Sequence, residues 1–148
     1  DKSLNSLNKR QNHIFKNYQL TIEKLLEFNN KIIIVYPIPE VGWNVRRKIH
    51  SHFIKNKSIS LDVASTSYEI FKSRTESSFN LLNKIKHKNI LKIYPHNLFC
   101  DNLLKNRCIS HNSKKLFYSD SHHMSTYGAE EIANLIIKKI NNFQKKSK

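Results

Sequence analysis

The chain has 148 residues, 39% of them hydrophobic, and its 26 lysines and arginines against 11 aspartates and glutamates give a formal net charge of +15. This length predicts one domain or a part of one, and no apolar run reaches the roughly 18 residues that a membrane span needs. The two glycines, Gly42 and Gly128, are too few for a Gly-rich phosphate loop or a Gly-x-Ser-x-Gly nucleophile elbow.

The positive charge has two interpretations. One is a surface that binds nucleic acid or another anionic polymer, and the other is a bias towards lysine on every solvated face. Lysines occur from Lys2 to Lys148 and far outnumber arginines, the residue that phosphate and base contacts favour. We therefore expect no nucleic-acid partner, and we predict that the basic residues 144–148 form a frayed tail.

Apolar spacing predicts the elements of the first half. A helix is expected over about residues 11–29, with Ile14, Tyr18 and Ile22 on one face. Residues 31–36 form a β-branched run without alternation, which is typical of a strand covered on both faces, and prolines end it. A short helix over about 44–55 follows, and 58–65 is either a short strand or an extended connection.

The second half continues the alternation. We predict a helix over about 67–86, a strand over 89–94, an irregular segment over 96–114 and a possible short strand at 116–118. A last helix should begin near Thr126, with Ser125 as its N-cap. Its inward face is expected to consist of six apolar residues, namely Ala129, Ile132, Ala133, Ile136, Ile137 and Ile140.

This order of helices and strands indicates an α/β fold, with a parallel sheet and helices on both faces. The pattern begins with a helix and contains only two firm strands, fewer than a usual sheet has. We therefore expect at least one further strand upstream of Asp1.

The candidate chemistry lies in an Asp-x-x-His pair, Asp120 and His123, on a loop before the last helix. His123 can accept a proton from a hydroxyl and return it to a leaving group, while Asp120 can orient the imidazole and stabilise its charged form. The alternative is that Asp120 caps a turn and His123 is a surface histidine, because such pairs are common by chance.

The surroundings of this pair resemble a known family. Residues 120–125 read Asp-Ser-His-His-Met-Ser and Gly128-Ala129 follow, which is similar to the last block of SGNH hydrolases. The resemblance is narrower to the SGNH domain fused to acyltransferase-3 membrane proteins, which O-acetylate surface polysaccharide or lipopolysaccharide. Residues 33–42 look like that family's strand and Pro-x-Pro-Glu-x-Gly turn, and residues 65–68 with Arg74 give a weaker match.

The resemblance implies a three-layer α/β/α, flavodoxin-like fold and a Ser-His-Asp triad that needs no cofactor or metal. The family's nucleophile lies in a Gly-Asp-Ser motif after its first strand, and no such motif occurs here. Residues 1–148 are therefore interpreted as about the C-terminal two-thirds of an SGNH domain, without its N-terminal strand or strands and nucleophile loop. We expect this chain alone to be inactive.

The resemblance also implies a disulfide, a partner and a location. Cys100 and Cys108 correspond to a cysteine pair shortly before the family's Asp-His block, whereas two free thiols are the alternative. The implied partners are a surface glycan and a membrane acyltransferase domain in the same full-length chain. The implied location is the periplasmic, extracytoplasmic face of a bacterial inner membrane. The polar N-terminus lacks the apolar core of a signal peptide, so either the chain stays in the cytoplasm or its export signal lies on a segment not present here.

Other residues receive structural interpretations. His122 is expected to be solvated, although it could shape the site, and Trp43 either lines a sugar platform or packs against the second helix. Arg74 is interpreted as structural, since it could pair with a carboxylate such as Glu69 or Asp62. The remaining scattered histidines lack the convergent ligands of a zinc site.

Two hypotheses from different classes remain. The first is the C-terminal part of an SGNH-type O-acyltransferase or esterase domain, which moves acetyl groups on cell-surface polysaccharide. The second is a non-catalytic basic module that binds nucleic acid or an anionic polymer. Asp120 within hydrogen-bond reach of His123, beside an empty cleft, would favour the first, and a continuous basic stripe away from that loop would favour the second.

Overall fold

The computed structural model describes residues 2–145, with the side chains of Ser6 and of residues 8–145. Within this range it contains α-helices, short strands and one 310 helix at Pro95–Leu98. The helices are α1 (Lys2–Glu27), α2 (Val45–Asn56), α3 (Tyr68–Lys84) and α4 (Thr126–Lys145), and the strands are β1 (Ile32–Val35), β2 (Thr66–Ser67), β3 (Ile90–Ile93) and β4 (Arg107–Cys108). α4 includes residues 144–145 of the predicted frayed tail, residues 146–148 lie outside the described part, and the tail stays a prediction.

The sheet confirms the predicted parallel pairing. β1 and β3 run parallel in a register that joins Ile32 to Ile90 and Val35 to Ile93, and the connection between them contains α2, β2 and α3. β2 and β4 form a separate antiparallel pair of two residues each. The predicted strand at 116–118 is reduced to isolated bridges, among them one between Tyr118 and Met124.

The two faces of β1 differ in what covers them. Ile34 is buried in an apolar cluster with Ile22 of α1 and Leu82 of α3. On the opposite face Ile33 and Val35 are 41% and 46% exposed. The prediction that both faces are covered is therefore wrong for the described residues. The reason is that α1 and α3 pack on the same face, whereas α4 lies against β3.

A second apolar cluster supports the loop before α4. It joins Val45 and Ile49 of α2 to Phe99, Phe117 and Tyr118. These side chains are almost completely removed from water, with Val45 and Tyr118 fully buried. The carboxyl side of β1 and the 117–125 loop therefore share one core.

The start of α4 follows the prediction, but its inward face does not. Ser125 is the N-cap, since its hydroxyl oxygen accepts a hydrogen bond from the Gly128 N–H at 3.1 Å. Gly128 permits close packing, because a Cβ there would lie 2.2 Å from the Phe117 carbonyl oxygen. Among the predicted inward residues, Ile132, Ile136 and Ile140 are half-buried, while Ala129, Ala133 and Ile137 are exposed. Across residues 2–145, no helix has both the length and the apolar character that crossing a bilayer requires.

Candidate active site

The segment from Phe117 to Ser125 is a closed turn. The Ser119 N–H donates to the His123 carbonyl at 2.9 Å, and the Ser125 N–H donates to the Phe117 carbonyl at 2.8 Å. The side chain of Ser119 also donates to the His123 carbonyl, at 3.1 Å. These bonds bring the two ends of the segment together, so that Asp120 and His123 lie on one side of a tight loop.

Asp120 uses both carboxylate oxygens within this loop. Its Oδ1 accepts from the backbone N–H groups of His122 and His123, at 2.9 and 2.8 Å. Its Oδ2 lies 2.7 Å from His123 Nδ1. An ionised carboxylate can only accept, so Nδ1 carries the proton and Nε2 keeps the free lone pair. Asp120 therefore both caps the turn and orients the imidazole, which makes Nε2 the nitrogen that can accept a proton.

The electrostatics keep Asp120 ionised. Hydrogen bonds from the backbone N–H groups of His122 and His123, and then from the His123 imidazole, hold the pKa of the Asp120 carboxyl well below its usual range. The carboxylate therefore stays negative at neutral pH, as a group that stabilises an imidazolium must.

The turn after β1 anchors the loop from the other side. The buried Tyr118 hydroxyl donates to the Pro39 carbonyl at 2.6 Å. Burial raises the pKa of Tyr118, so the hydroxyl keeps its proton and remains a donor. The Val41 N–H donates to the Ser121 carbonyl at 3.0 Å. The two segments that carry the strongest sequence motifs are thus in direct contact.

The pair faces solvent. The side chains of His123 and Asp120 are 68% and 38% exposed. His122 is also exposed, and its Nδ1 lies 2.8 Å from the Ser121 hydroxyl. The described residues therefore hold the Asp120–His123 pair in place but do not enclose it.

Three side chains of the loop could hold a metal ion together. One ligand atom each from Asp120, His122 and His123 lies within 4.8 Å of the others. Both Asp120 oxygens already accept hydrogen bonds, so an ion would share this carboxylate with the N–H groups of His122 and His123. The sequence predicts no metal or cofactor, and that remains a prediction.

Cys100 and Cys108 are joined by a disulfide. The bridge packs against Phe71 of α3. It precedes a segment that contacts the loop at residues 117–125, which we call the active loop. Directly after it, the Ile109 N–H donates to the Phe99 carbonyl at 2.9 Å and the Phe117 N–H donates to the Ser110 carbonyl at 2.8 Å. Through these backbone hydrogen bonds, the region around the disulfide supports the active loop.

Trp43 packs in the core shared with α2. Its indole N–H donates to the Ala64 carbonyl at 3.2 Å, and the ammonium of Lys48 lies 3.4 Å from its ring centroid. The lysine covers one face of the ring, and the rest packs against the apolar cluster of α2, so the structural interpretation fits better than a sugar platform.

Arg74 pairs with neither of the two carboxylates that the sequence offered as examples. Glu69 pairs with Lys72, and the Asp62 carboxylate accepts from the Ser60 hydroxyl, while Arg74 has no ion pair within residues 8–145. Arg74 instead lines a cleft of about 220 Å³ at the carboxyl end of β1, opposite Glu40.

Two of the scattered histidines are structural. His96 and His111 are buried, and burial lowers the pKa of each imidazole. His111 Nε2 lies 3.0 Å from the Val63 carbonyl oxygen, and the Ser113 N–H donates to its Nδ1. Sequence reasoning missed Tyr118 as the anchor of the active loop, because its partner Pro39 lies 79 positions away.

Comparison with solved structures supports the fold. Among solved structures, the periplasmic domain of a lipopolysaccharide acetyltransferase from Salmonella ser. Paratyphi A is similar, with a TM-score of 0.58 and 19% identity. The match covers 88% of this chain and 50% of that one, so the chain spans about half the length of that domain. At this identity the likeness shows the fold. No curated protein matches the chain.

The sequence profile of one family, described as the SGNH domain fused to AT3 domains, matches residues 1–138. The match includes β1 with its turn, the disulfide, the Asp120–His123 loop and most of α4. The chain therefore belongs to the family of SGNH domains fused to AT3 domains.

Proposed function

We propose that this chain is the C-terminal part of an SGNH-type acyltransferase or esterase domain, in which His123 is the general base and Asp120 its orienting carboxylate. The observation that carries the proposal is the 2.7 Å contact between Asp120 Oδ2 and His123 Nδ1, on a carboxylate already fixed by two backbone N–H groups. This geometry fixes one tautomer and leaves Nε2 ready to accept a proton.

The nucleophile of the proposed reaction is a serine on a segment outside these 148 residues. No Gly-Asp-Ser motif occurs in the sequence, and the exposed side of His123 leaves room for another segment. An acid–base pair that is open to water is a weak catalyst by itself, because the surrounding water screens its charges.

In the proposed cycle, His123 Nε2 takes the proton of the serine hydroxyl as its oxygen attacks the acyl carbonyl. The donor's leaving group departs with that proton, and an acyl-serine remains. A hydroxyl of the acceptor, or water, then gives its proton to His123 and attacks the acyl carbon. His123 returns the proton to the serine oxygen as the product leaves, which is an ester when the acceptor is a hydroxyl and the free acid when it is water. Asp120 stabilises the imidazolium in both halves.

The comparisons support a particular setting for this chemistry. The family is fused to AT3 domains, and the similar structure is the periplasmic domain of a lipopolysaccharide acetyltransferase. We therefore propose that the acyl group is acetyl and the acceptor a cell-surface glycan. The partner would be a membrane acyltransferase domain of the same full-length protein, on the periplasmic side. The Cys100–Cys108 disulfide fits such an oxidising compartment.

Turnover of p-nitrophenyl acetate tests the proposal. The 148-residue protein should show no serine-dependent turnover, and a longer protein that includes the family's Gly-Asp-Ser segment should be active. In the longer protein His123→Ala should lower kcat by at least about 10³-fold, because base and nucleophile act as a unit. The neighbouring His122→Ala is the matched control, with a loss below about tenfold.

Two results would contradict the proposal. Serine-dependent turnover by the 148-residue protein that His123→Ala abolishes would show that the nucleophile lies inside this sequence. Unchanged activity of His123→Ala in the longer protein would show that His123 is not the base.

A further inference from the structure

The first turn of α2 carries positive charge where helices favour negative charge. Asn44 caps the helix, since its side-chain oxygen accepts from the Arg47 N–H at 3.0 Å, and Arg46, Arg47 and Lys48 follow. The first turn contains no acidic residue. The partial positive charge at a helix amino end makes cations unfavourable there, and a position that breaks a local rule often has a functional reason.

This cationic turn lies beside the active loop. The Val45 N–H points at the Asp120 carbonyl, 3.5 Å away, and Val45 itself is fully buried. Arg46 and Arg47, the next two residues, are exposed. Arg46 and Arg47 thus directly follow a residue that contacts the loop holding His123.

The charge of the two guanidinium groups is not neutralised within the domain. Neither Arg46 nor Arg47 has an ion pair among the residues whose side chains are described. The nearest acidic residues in sequence are Glu40 and Asp62, and the Asp62 carboxylate accepts from the Ser60 hydroxyl. The arginines are therefore free to bind an external anion.

We propose that Arg46 and Arg47 bind carboxylate or phosphate groups of an anionic glycan acceptor where it approaches His123. The inference rests on the proposed function and specifies its substrate class. Guanidinium groups suit these anions because they can donate two parallel hydrogen bonds to one carboxylate or phosphate. A glycan acceptor is favoured over nucleic acid because the pair lies at the acid–base loop, whereas nucleic-acid binders spread many cations along a longer face.

Binding of polygalacturonate by the 148-residue protein tests this site, with neutral dextran as the uncharged comparison. Arg46→Glu with Arg47→Glu is compared with Lys138→Glu and Lys139→Glu, an adjacent exposed pair on α4 that changes the net charge equally. We expect the arginine reversal to weaken binding at least about tenfold, because charge-assisted hydrogen bonds are lost. The lysine reversal should weaken it less than about threefold, and dextran should not bind measurably.

The melting temperature provides a second measurement on the same variants. The arginine reversal should raise Tm by about 1–4 °C, because carboxylates suit the amino end of a helix and Glu at position 47 completes a capping box with Asn44. Lost binding with a higher Tm cannot be explained by unfolding. If the reversal lowers Tm, Arg46→Gln with Arg47→Gln and its Lys138→Gln, Lys139→Gln control give the same comparison without introducing carboxylates.

Several outcomes would overturn the inference. Equal weakening by the arginine and lysine reversals would mean that net charge alone binds the polymer. If neither reversal weakens binding, Arg46 and Arg47 do not form a binding site. Tighter binding of a DNA duplex than of polygalacturonate, lost on arginine reversal, would assign the pair to nucleic acid. These measurements involve no acyl chemistry, so a negative result would leave the His123 proposal to be decided by p-nitrophenyl acetate turnover.

Discussion

Two regions of this domain differ in how completely the described residues bury them. The active loop rests on a closed core in which Tyr118 and Val45 are fully buried, and backbone bonds tie it to the turn after β1. The outer face of β1 leaves Ile33 and Val35 partly in water. The described residues thus hold the Asp120–His123 pair by their own contacts, while they leave one face of β1 uncovered.

The largest effect on the free energy of unfolding is expected at β1, where two adjacent residues should differ. Ile34→Ala should lower the free energy of unfolding by about 2–4 kcal/mol, because Ile34 is buried in the cluster with α1 and α3. Ile33→Ala, the matched control on the exposed face, should cost less than about 1 kcal/mol. Urea unfolding followed by circular dichroism measures both. Equal losses would mean that both faces of β1 are covered in solution.

The disulfide gives the next largest effect. Replacing Cys100 and Cys108 by serine should lower the free energy of unfolding by about 2–3 kcal/mol, as expected for closing a short loop. Under denaturing conditions the oxidised protein should release no thiol until it is reduced. A thiol titre that reduction leaves unchanged would show that the cysteines are free.

Breaking the link between the active loop and the β1 turn should have a smaller effect. Tyr118→Phe removes the buried donor to the Pro39 carbonyl and should cost about 1–2 kcal/mol, because that buried carbonyl is left unsatisfied. Tyr18→Phe, in which the hydroxyl of a 47% exposed tyrosine is removed, is the control and should be neutral. If both variants lose the same stability, the loop is not anchored through Tyr118.

The smallest effect is a dependence of stability on pH. Burial lowers the pKa of His96 and His111 below the ordinary value of 6.5, so unfolding takes up protons at acid pH. The stability from these groups is fully present above pH 6.5 and is lost as the pH falls through their folded values. Unfolding measured from pH 7.5 to 5 should show this decrease, and His13→Gln, at an exposed position, should leave the profile unchanged.

Elements with their own periodic pattern could be predicted from the sequence. β1, α3 and β3 each lie within one or two residues of the expected bounds at both ends. The Asp120–His123 contact was predictable too, because three residues on a tight loop leave little freedom. Local spacing contained the information in each case.

Burial could not be predicted in the same way. The run at 32–35 specifies a strand, but which face is covered depends on where α1, α3 and α4 pack. The bond from Tyr118 to Pro39 joins segments 79 positions apart, so no local pattern indicates it. The first nine residues of α1, residues 2–10, were not predicted because only two of them, Leu4 and Leu7, are apolar.

The tautomer of His123 tests the central claim most directly. Long-range 1H–15N correlation spectra of the neutral imidazole should show the proton on Nδ1, held by Asp120, and Asp120→Ala should shift the population towards Nε2–H. A His123 ring that carries its proton on Nε2 in the native protein, unchanged by Asp120→Ala, would contradict the assignment of this pair as base and orienter.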